Sequence, residues 1–335
     1  MIKEAIKTLV EGNSLTTAQA QEVMQEIMDG EATPAQFGAF VTALRLKGET
    51  VDEIIGLAKT MRAKAVPVDI DEPLVDTCGT GGDAAGTFNI STAAAFVAAA
   101  AGLKVAKHGN RAMSSNCGSA DVLEALGVKI DHGAEGVKRC IEEVGIGFMF
   151  AVVFHPAMKY AAPPRCEIGI RTVFNILGPL TNPAGARAQV IGVADETMAA
   201  RIAQALQGLG CCHGLVVHGE SGIDEIAISG RSLIYEVKDG KIKNYYISPA
   251  DFGLSEHNIE SIKGSTAEEN AEILRKILGG EKGPRRDIVL MNAAAALLAG
   301  DKAENLREGF KMAEETIDSG KAKAKLEQLI AFSRE

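Results

Sequence analysis

Between residues 74 and 218 short apolar runs alternate with stretches of helical periodicity, and this alternation constrains the chain more than any other feature. Leu74–Thr77, Val105–Lys107, Ile146–Val153, Val190–Val193 and Leu215–His218 have the length and residue types of strands. Between them, Thr92–Ala101, Ser119–Leu126, Ala134–Val144 and Glu196–Leu209 read as helices. Parallel neighbours need a crossover, and a helical crossover covers the sheet, so the class is α/β: a mostly parallel central sheet flanked by helices. Asp239-Gly240 joins Leu233–Lys238 to Lys241–Tyr246 as a hairpin turn, and the chain then returns to helices at about 266–278, 285–299 and 301–318.

The first 65 residues have a different texture and predict a small all-helical N-terminal domain. Capping-box patterns open three helices: Thr16 to Gln19, Thr33 to Gln36 and Thr50 to Glu53. Apolar residues at helical spacing follow each, and Pro34 stands where a missing N–H costs nothing. So few short helices bury little by themselves, so the unit must pack on another segment or subunit. It is a candidate dimerisation surface. Pro163-Pro164 is expected to interrupt regular structure, and the helix signals of 165–182 end at Asn182-Pro183. The expected division is therefore a helical domain at 1–65 joined by a returning segment at about 163–183. A large α/β domain would take 70–160 and 184–335, with a cleft between the two.

The net charge of −9 disfavours nonspecific attraction to nucleic acid or to anionic membranes. The longest low-polarity run, Ala93–Leu103, falls far short of the roughly 20 residues that span a bilayer. The N-terminus mixes charged with apolar residues and has no signal-peptide core. The six cysteines lack zinc-type spacing and read as small buried or half-buried thiols of a reducing compartment, which makes the cytoplasm the expected location. An acidic chain that binds an anion must concentrate its positive groups locally.

That concentration is found at the ends of the predicted strands. Gly79-Thr80-Gly81-Gly82-Asp83 follows the first strand, where glycines let backbone N–H groups approach phosphate oxygens. It is neither a P-loop nor a dinucleotide fingerprint. Asn89-Ile90-Ser91-Thr92 opens a helix, with Ser91 or Thr92 a natural cap and the helix N-terminus a site for negative charge. Lys107-His108-Gly109-Asn110-Arg111-Ala112-Met113-Ser114-Ser115 follows another strand. Lys107 and Arg111 can balance phosphate charge there, Ser114 and Ser115 can donate to it, and Ser119 is expected to cap the next helix. Asp224-Glu225 is an adjacent carboxylate pair of the kind that meets phosphate through magnesium. No histidine stands beside a Ser or Cys nucleophile, and only His108 lies within these loops; the other five read as structural or surface groups.

Taken in order, these motifs, with SSNCGSAD at 114–121, LEALG at 123–127, HPA at 155–157, GIRTVFNILGPLTNP at 169–183 and DIVLMNAAAALL at 287–298, resemble those of anthranilate phosphoribosyltransferases over essentially the full chain. The resemblance implies transfer of the phosphoribosyl group of 5-phosphoribosyl 1-pyrophosphate to the amino group of anthranilate in tryptophan biosynthesis, with Mg2+. It further implies a small helical and a large α/β domain, and a homodimer formed through the helical part. For phosphoribosyl pyrophosphate it implies Gly79, Gly82, Asp83, Thr87, Asn89, Ile90, Ser91, Thr92, the run from Lys107 through His108, Gly109, Asn110, Arg111, Ala112, Met113 and Ser114 to Ser115, and Ser119. Gly79, Asn110 and Arg165 match anthranilate contacts, and Ser91, Asp224 and Glu225 match magnesium ligands. The arylamine is neutral near pH 7, and no general base is apparent.

The chain departs from the family pattern at Cys166, where a second basic residue is common, and at Ala227, where Ser is frequent. No amidotransferase domain is expected, since the pattern uses all 335 residues. Three rivals are weaker. A pyrimidine nucleoside phosphorylase would lack the KHGNR loop. A same-fold transferase for another aromatic amine would differ in its acceptor contacts. An inactive relative that binds nucleic acid would carry a basic surface and damaged metal positions.

Overall fold

The computed structural model describes residues 1–83, 85–112 and 116–335. Four helices come first: α1 (Ile2–Val10), α2 (Thr17–Met28), α3 (Pro34–Lys47) and α4 (Val51–Lys64). Thr16, Thr33 and Thr50 each accept the N3 backbone N–H while Gln19, Gln36 and Glu53 reach back, so all three capping boxes form. Val23, Met24, Ile27, Phe37, Phe40, Leu44, Ile54 and Leu57 make the apolar interior of this bundle.

A seven-stranded sheet follows, in the order β3-β2-β1-β4-β5-β6-β7. Its parallel part comprises β1 (Leu74–Gly79), β2 (Lys104–Gly109), β3 (Ile146–Phe150), β4 (Ala188–Gly192) and β5 (His213–Gly219). The hairpin of β6 (Ser232–Lys238) and β7 (Lys241–Ile247) adds two antiparallel strands at one edge. Asp239 and Gly240 both take positive φ, 51° and 69°, as a two-residue turn that follows the sheet twist requires. The crossovers carry α5 (Ile90–Ala100), α6 (Ser119–Leu126) and α7 (Ala134–Arg139), whose last turn widens into a π-turn at Cys140–Val144. Short helices α8 (Ala151–Phe154), α9 (Ala162–Ile168) and α10 (Phe174–Leu177) precede β4, and α11 (Glu196–Gly208) precedes β5. The C-terminal layer is α12 (Ala267–Leu278), α13 (Pro284–Ala299), α14 (Leu306–Asp318) and α15 (Lys321–Phe332). The alanine-rich faces of α5 and α13 pack closely within its core.

Several elements differ from the sequence reading. The run Ile146–Val153 is strand only to Phe150, after which the chain turns into α8; an unbroken apolar run does not mark where a strand ends. Pro163-Pro164 opens α9 rather than breaking the chain, because a helix's first turn has no use for those N–H groups. The helix expected from 301 begins at Leu306, and the structure adds α15, whose Ala322, Leu326 and Leu329 are buried at helical spacing. Cys166 and Cys212 are exposed rather than buried or half-buried; all six cysteines are free thiols.

Buried polar groups pin the segment 171–183 to both neighbours. Asn182 Nδ2 donates to Asp76 Oδ2 at 2.7 Å and to the Ala106 carbonyl at 2.8 Å, joining β1 and β2. On the other side Phe174 meets Phe37 at 5.4 Å between ring centroids, and Arg62 Nε donates to the Leu180 carbonyl at 2.6 Å. Within the bundle, fully buried Glu53 accepts from Leu15 N (2.9 Å), Thr50 N (2.8 Å) and Lys47 Nζ (2.9 Å), joining α3 and α4 to the loop before α2 through one carboxylate. Removing one member of a buried pair strands the other, at about 3–5 kcal/mol. Glu53→Ala is therefore expected to lower the stability of the helical bundle by about 3 kcal/mol. Urea unfolding followed by circular dichroism measures it, and a shift below about 1 kcal/mol would show the cluster to be solvated.

Candidate active site

The loops at the C-terminal ends of β1, β2 and β5 surround a cavity of about 350 Å³. In a parallel sheet this edge is where helix N-termini and glycine turns converge. Gly79, Gly82, Asp83, Thr87, Asn89, Ile90, Ser91, Thr92, Lys107, His108, Gly109, Asn110, Arg111, Ala112, Ser119, Arg165, Asp224 and Glu225 all line it. Met113, Ser114 and Ser115 lie outside the described residues.

Asp224 and Glu225 leave β5 through a loop that is seated on glycines. A Cβ at Gly79 would lie 2.2 Å from Asp224 Oδ2, and one at Gly192 would lie 1.6 Å from the Asp224 carbonyl oxygen. Asp224 Oδ2 accepts from Gly81 N at 2.7 Å, and Glu225 Oε1 from Ser91 N at 3.2 Å. Asn292 of α13 secures the next residue, accepting from Ile226 N (2.9 Å) and donating to its carbonyl (3.1 Å). Ala227 is buried, and its N–H donates to Ser232 Oγ at 2.8 Å, so the loop is satisfied without a serine there.

The carboxylates are buried together, with Lys107 the one buried cation beside them among the described residues. Burial, then the nearby Asp83, raises Asp224 above the ordinary carboxylate range. Burial, then Asp224, raises Glu225 further, with Lys107 opposing. One oxygen of Asp83, Oδ2, is buried without a partner among the described residues. Lys107 is 2% exposed, and its Nζ donates to the Thr77 carbonyl and, at 3.4 Å, to Ser91 Oγ. Burial lowers its pKa, while Asp76 beside it holds the charge in place. Arg111 is already engaged, with Asp121 at 3.0 Å and Glu124 at 2.9 Å. His108 and His155 face each other at 5.0 Å between ring centroids. Burial pushes them down to about 3 and about 4, so both imidazoles stay neutral.

Two capping assignments change. Helix α5 starts at Ile90 with Asn89 at its cap, which places Ser91 and Thr92 inside the first turn. Their hydroxyls are not spent on capping, and the Thr92 Oγ1 is buried without a partner. Gly118, not Ser119, caps α6, and Asp121 reaches back to Gly118 N at 2.8 Å and to Ala112 N at 2.9 Å. A Cβ on Gly109 would lie 2.1 Å from Ser119 Oγ, so glycine lets that hydroxyl close over the strand end.

The cavity also holds residues that sequence reasoning left out. Arg171, Phe174 and Asn175 come from the segment before β4, and Gly264 and Ser265 from the stretch before α12. Arg171 lies in the quoted GIRT motif, which was its available signal. Nothing in the sequence marks Gly264 and Ser265. They are held by Asn270, 1% exposed, whose Oδ1 accepts from Ser265 N at 2.9 Å and whose Nδ2 donates to Asn89 Oδ1 at 3.1 Å. Asn89 in turn donates to the Cys117 carbonyl at 3.1 Å, so one chain of amides ties three cavity loops together. Among the described residues no three His, Cys, Asp or Glu side chains form a ready-made metal cage.

A helical bundle joined to an α/β unit with this edge defines the class. The glycosyl transferase family's helical bundle domain matches residues 3–65, and its α/β domain matches residues 71–323. Anthranilate phosphoribosyltransferases of Dehalococcoides mccartyi and Chloroflexus aggregans are each 59% identical, over 100% and 99% of this chain and 98% of theirs. The crystal structure of the Thermus thermophilus enzyme superposes with a TM-score of 0.94 at 48% identity, covering 99% of both chains. The Saccharomyces cerevisiae enzyme in complex with PRPP and Mg has a TM-score of 0.92 at 29% identity, covering 99% of this chain and 98% of that one. The chain belongs to the anthranilate phosphoribosyltransferase family.

The glycine seat yields a contrast between two substitutions. Gly79→Ala clashes with the Asp224 carboxylate group rather than with backbone and is expected to keep the fold while lowering transferase turnover at least about tenfold. Gly192→Ala meets backbone and should also cost about 1–3 kcal/mol of stability. Turnover and thermal melting of the two proteins check this, and equal behaviour would show that the loop is not seated as described.

Proposed function

We propose that this chain transfers the phosphoribosyl group of 5-phosphoribosyl 1-pyrophosphate to the amino group of anthranilate, using Mg2+. The observation that carries the reading is the raised Asp224–Glu225 pair facing unpartnered donors across one cavity. Hard carboxylate oxygens suit Mg2+, which is commonly held by one or two carboxylates together with substrate phosphates. The lack of a cage of three such side chains is consistent with that mode. Ser91, Asp224 and Glu225 would hold the ion, which when bound neutralises charge on the departing pyrophosphate.

The chain's own residues supply the rest. Lys107, the Thr92 hydroxyl and the N–H groups opening α5 present positive charge and donors to phosphate in the pocket. The GTGGD turn offers its backbone to the same substrate, with Asp83, Thr87 and Asn89 around it. Asn89 is chiefly a strut, because its oxygen and one N–H are committed to Asn270 and Cys117. Arg165 is half-buried and has no carboxylate partner among the described residues, so its planar fork can take the carboxylate of anthranilate. Asn110 and Gly79 complete the acceptor contacts. As the amine nitrogen bonds to C1, the bond from C1 to the pyrophosphate oxygen breaks, and the nitrogen then loses a proton. The neutral His108 and His155 are too weakly basic to drive this step, so positioning and charge stabilisation carry it.

In this reading the segment 163–183 belongs with residues 1–65, a division supported by the Phe37–Phe174 contact and the bond from Arg62 to Leu180. Residues 70–160 and 184–335 form the larger domain. The homodimer uses the helical part, where Val10 and Leu46 stand 72% and 83% exposed. The cytoplasm is the location; no helix of the described residues is long and apolar enough to cross a membrane.

Loss of anthranilate fluorescence on adding phosphoribosyl pyrophosphate and Mg2+ tests the reading. Arg165→Ala should raise KM for anthranilate at least about tenfold, the worth of a charge-assisted hydrogen bond. Asp224→Asn/Glu225→Gln should act on the Mg2+ dependence instead. Anthranilate left untouched by wild type, with phosphoribosyl pyrophosphate still bound, would move the acceptor to another aromatic amine. Metal binding requires both carboxylates to be deprotonated. Because both are raised, apparent Mg2+ affinity should fall on acidification while the pH is still above the ordinary carboxylate range. Titration of Mg2+ at a series of pH values measures it, and an affinity flat down to pH about 4.5 would contradict it.

A further inference from the structure

A second cavity, of about 250 Å³, adjoins the first and shares Thr80, Gly82, Arg171 and Asn175 with it. Its volume lies below the roughly 300 Å³ at which pockets for drug-sized ligands begin, so it suits a small metabolite. Glu49, between α3 and α4, lines it and is only 3% exposed. Among the described residues no cationic side chain lies within 4.0 Å of its carboxylate, which is hydrogen-bonded to its own backbone N–H. Burial raises its pKa, with Arg45 and Arg201 opposing from further away. Thr172 also lines the cavity at 4% exposure, and its Oγ1 has no partner.

A carboxylate at a cavity wall with no cation against it is costly to keep charged, and a ligand's positive group would offset that cost. Arg45 and Arg171, exposed on the same cavity, carry guanidinium groups with no carboxylate partner among the described residues. They suit a planar anion. Ile176, Val193 and Met198 give the space an apolar wall. The complementary molecule carries an ammonium group for Glu49, a carboxylate for the arginines and an apolar body between them. An aromatic amine, neutral at pH 7, would not neutralise Glu49.

We propose that this cavity binds a small zwitterionic α-amino acid with an apolar side chain, at a site separate from the transfer site and linked to it through Arg171. Arg171 Nη2 donates to the Thr80 carbonyl at 3.4 Å, and its guanidinium occupies the space a Cβ on Gly82 would need. An anion drawing Arg171 into the second cavity therefore alters the GTGGD turn, which couples the two sites in both directions.

The site stands on its own residues, so its test is separate from that of the transfer reaction. L-leucine, L-methionine, L-phenylalanine and L-tryptophan are titrated calorimetrically into wild type, Glu49→Gln, Thr172→Val and Arg165→Ala, with anthranilate as the comparison ligand. At least one amino acid should saturate wild type, bind at least tenfold more weakly to Glu49→Gln and bind Arg165→Ala unchanged. Anthranilate should show the reverse dependence. Glu49→Gln removes a buried charge at constant size and is expected to fold; Thr172→Val provides the second, milder lesion. The proposal is overturned if none of the four binds wild type at millimolar concentration. It is equally overturned if binding survives Glu49→Gln undiminished or disappears with Arg165→Ala.

Discussion

Negative charge clustered away from water, with one buried lysine beside it, is the constraint around which this molecule is arranged. Asp83, Asp224 and Glu225 converge on the C-terminal edge of the sheet with Lys107 as the buried cation among them. Such a group is tolerable only because the strands beneath it are rigid and the loops above are satisfied by backbone donors. Glycine makes the geometry available. At Gly79 and Gly192 a single methyl group would displace Asp224, so the ends of β1 and β4 are bare where the acidic loop rests.

The edge is assembled from segments far apart in the chain, and amide side chains do much of the joining. Asn182 connects β1 and β2 to the segment that also meets the helical bundle. Asn270 and Asn89 tie the loop before α12 to the loops before α5 and α6. Asn292 fixes the residue after the carboxylate pair. Neutral amides satisfy buried backbone without adding charge, which suits a pocket where an extra ion would disturb the field. At the foot of the bundle the joining group is a cation instead: Arg62 donates hydrogen bonds to the Leu180 and Leu209 carbonyls, and burial pulls its pKa down.

Local chemistry made much of this visible beforehand. The capping boxes at Thr16, Thr33 and Thr50, the Asp239-Gly240 turn and the five parallel strands each follow from residues that are neighbours in sequence. The glycine-rich turn and the KHGNR loop were legible for the same reason, since each sits directly after a strand. What escaped depends on distance or on context. Ser265 and Asn270 have no local mark, because Asn270, which holds Ser265, matters through meeting Asn89 across 181 residues. The sequence does not say that Pro163-Pro164 begins a helix rather than ending one, because the same dipeptide serves either purpose. Arg171 stood in a quoted motif, but its place over Gly82 depends on how the returning segment crosses the glycine turn. Arg111 was legible as a cation, whereas its engagement by Asp121 and Glu124 required the fold of α6.

Calorimetric titration of inorganic pyrophosphate, with and without Mg2+, addresses this charge cluster most directly. A site whose carboxylates cluster around one lysine should bind pyrophosphate poorly alone and at least about tenfold more tightly with the metal, and the gain should vanish in Asp224→Asn/Glu225→Gln. Equal affinity in the presence and absence of Mg2+ would contradict it, since Lys107 and the backbone donors would then suffice to neutralise the ligand.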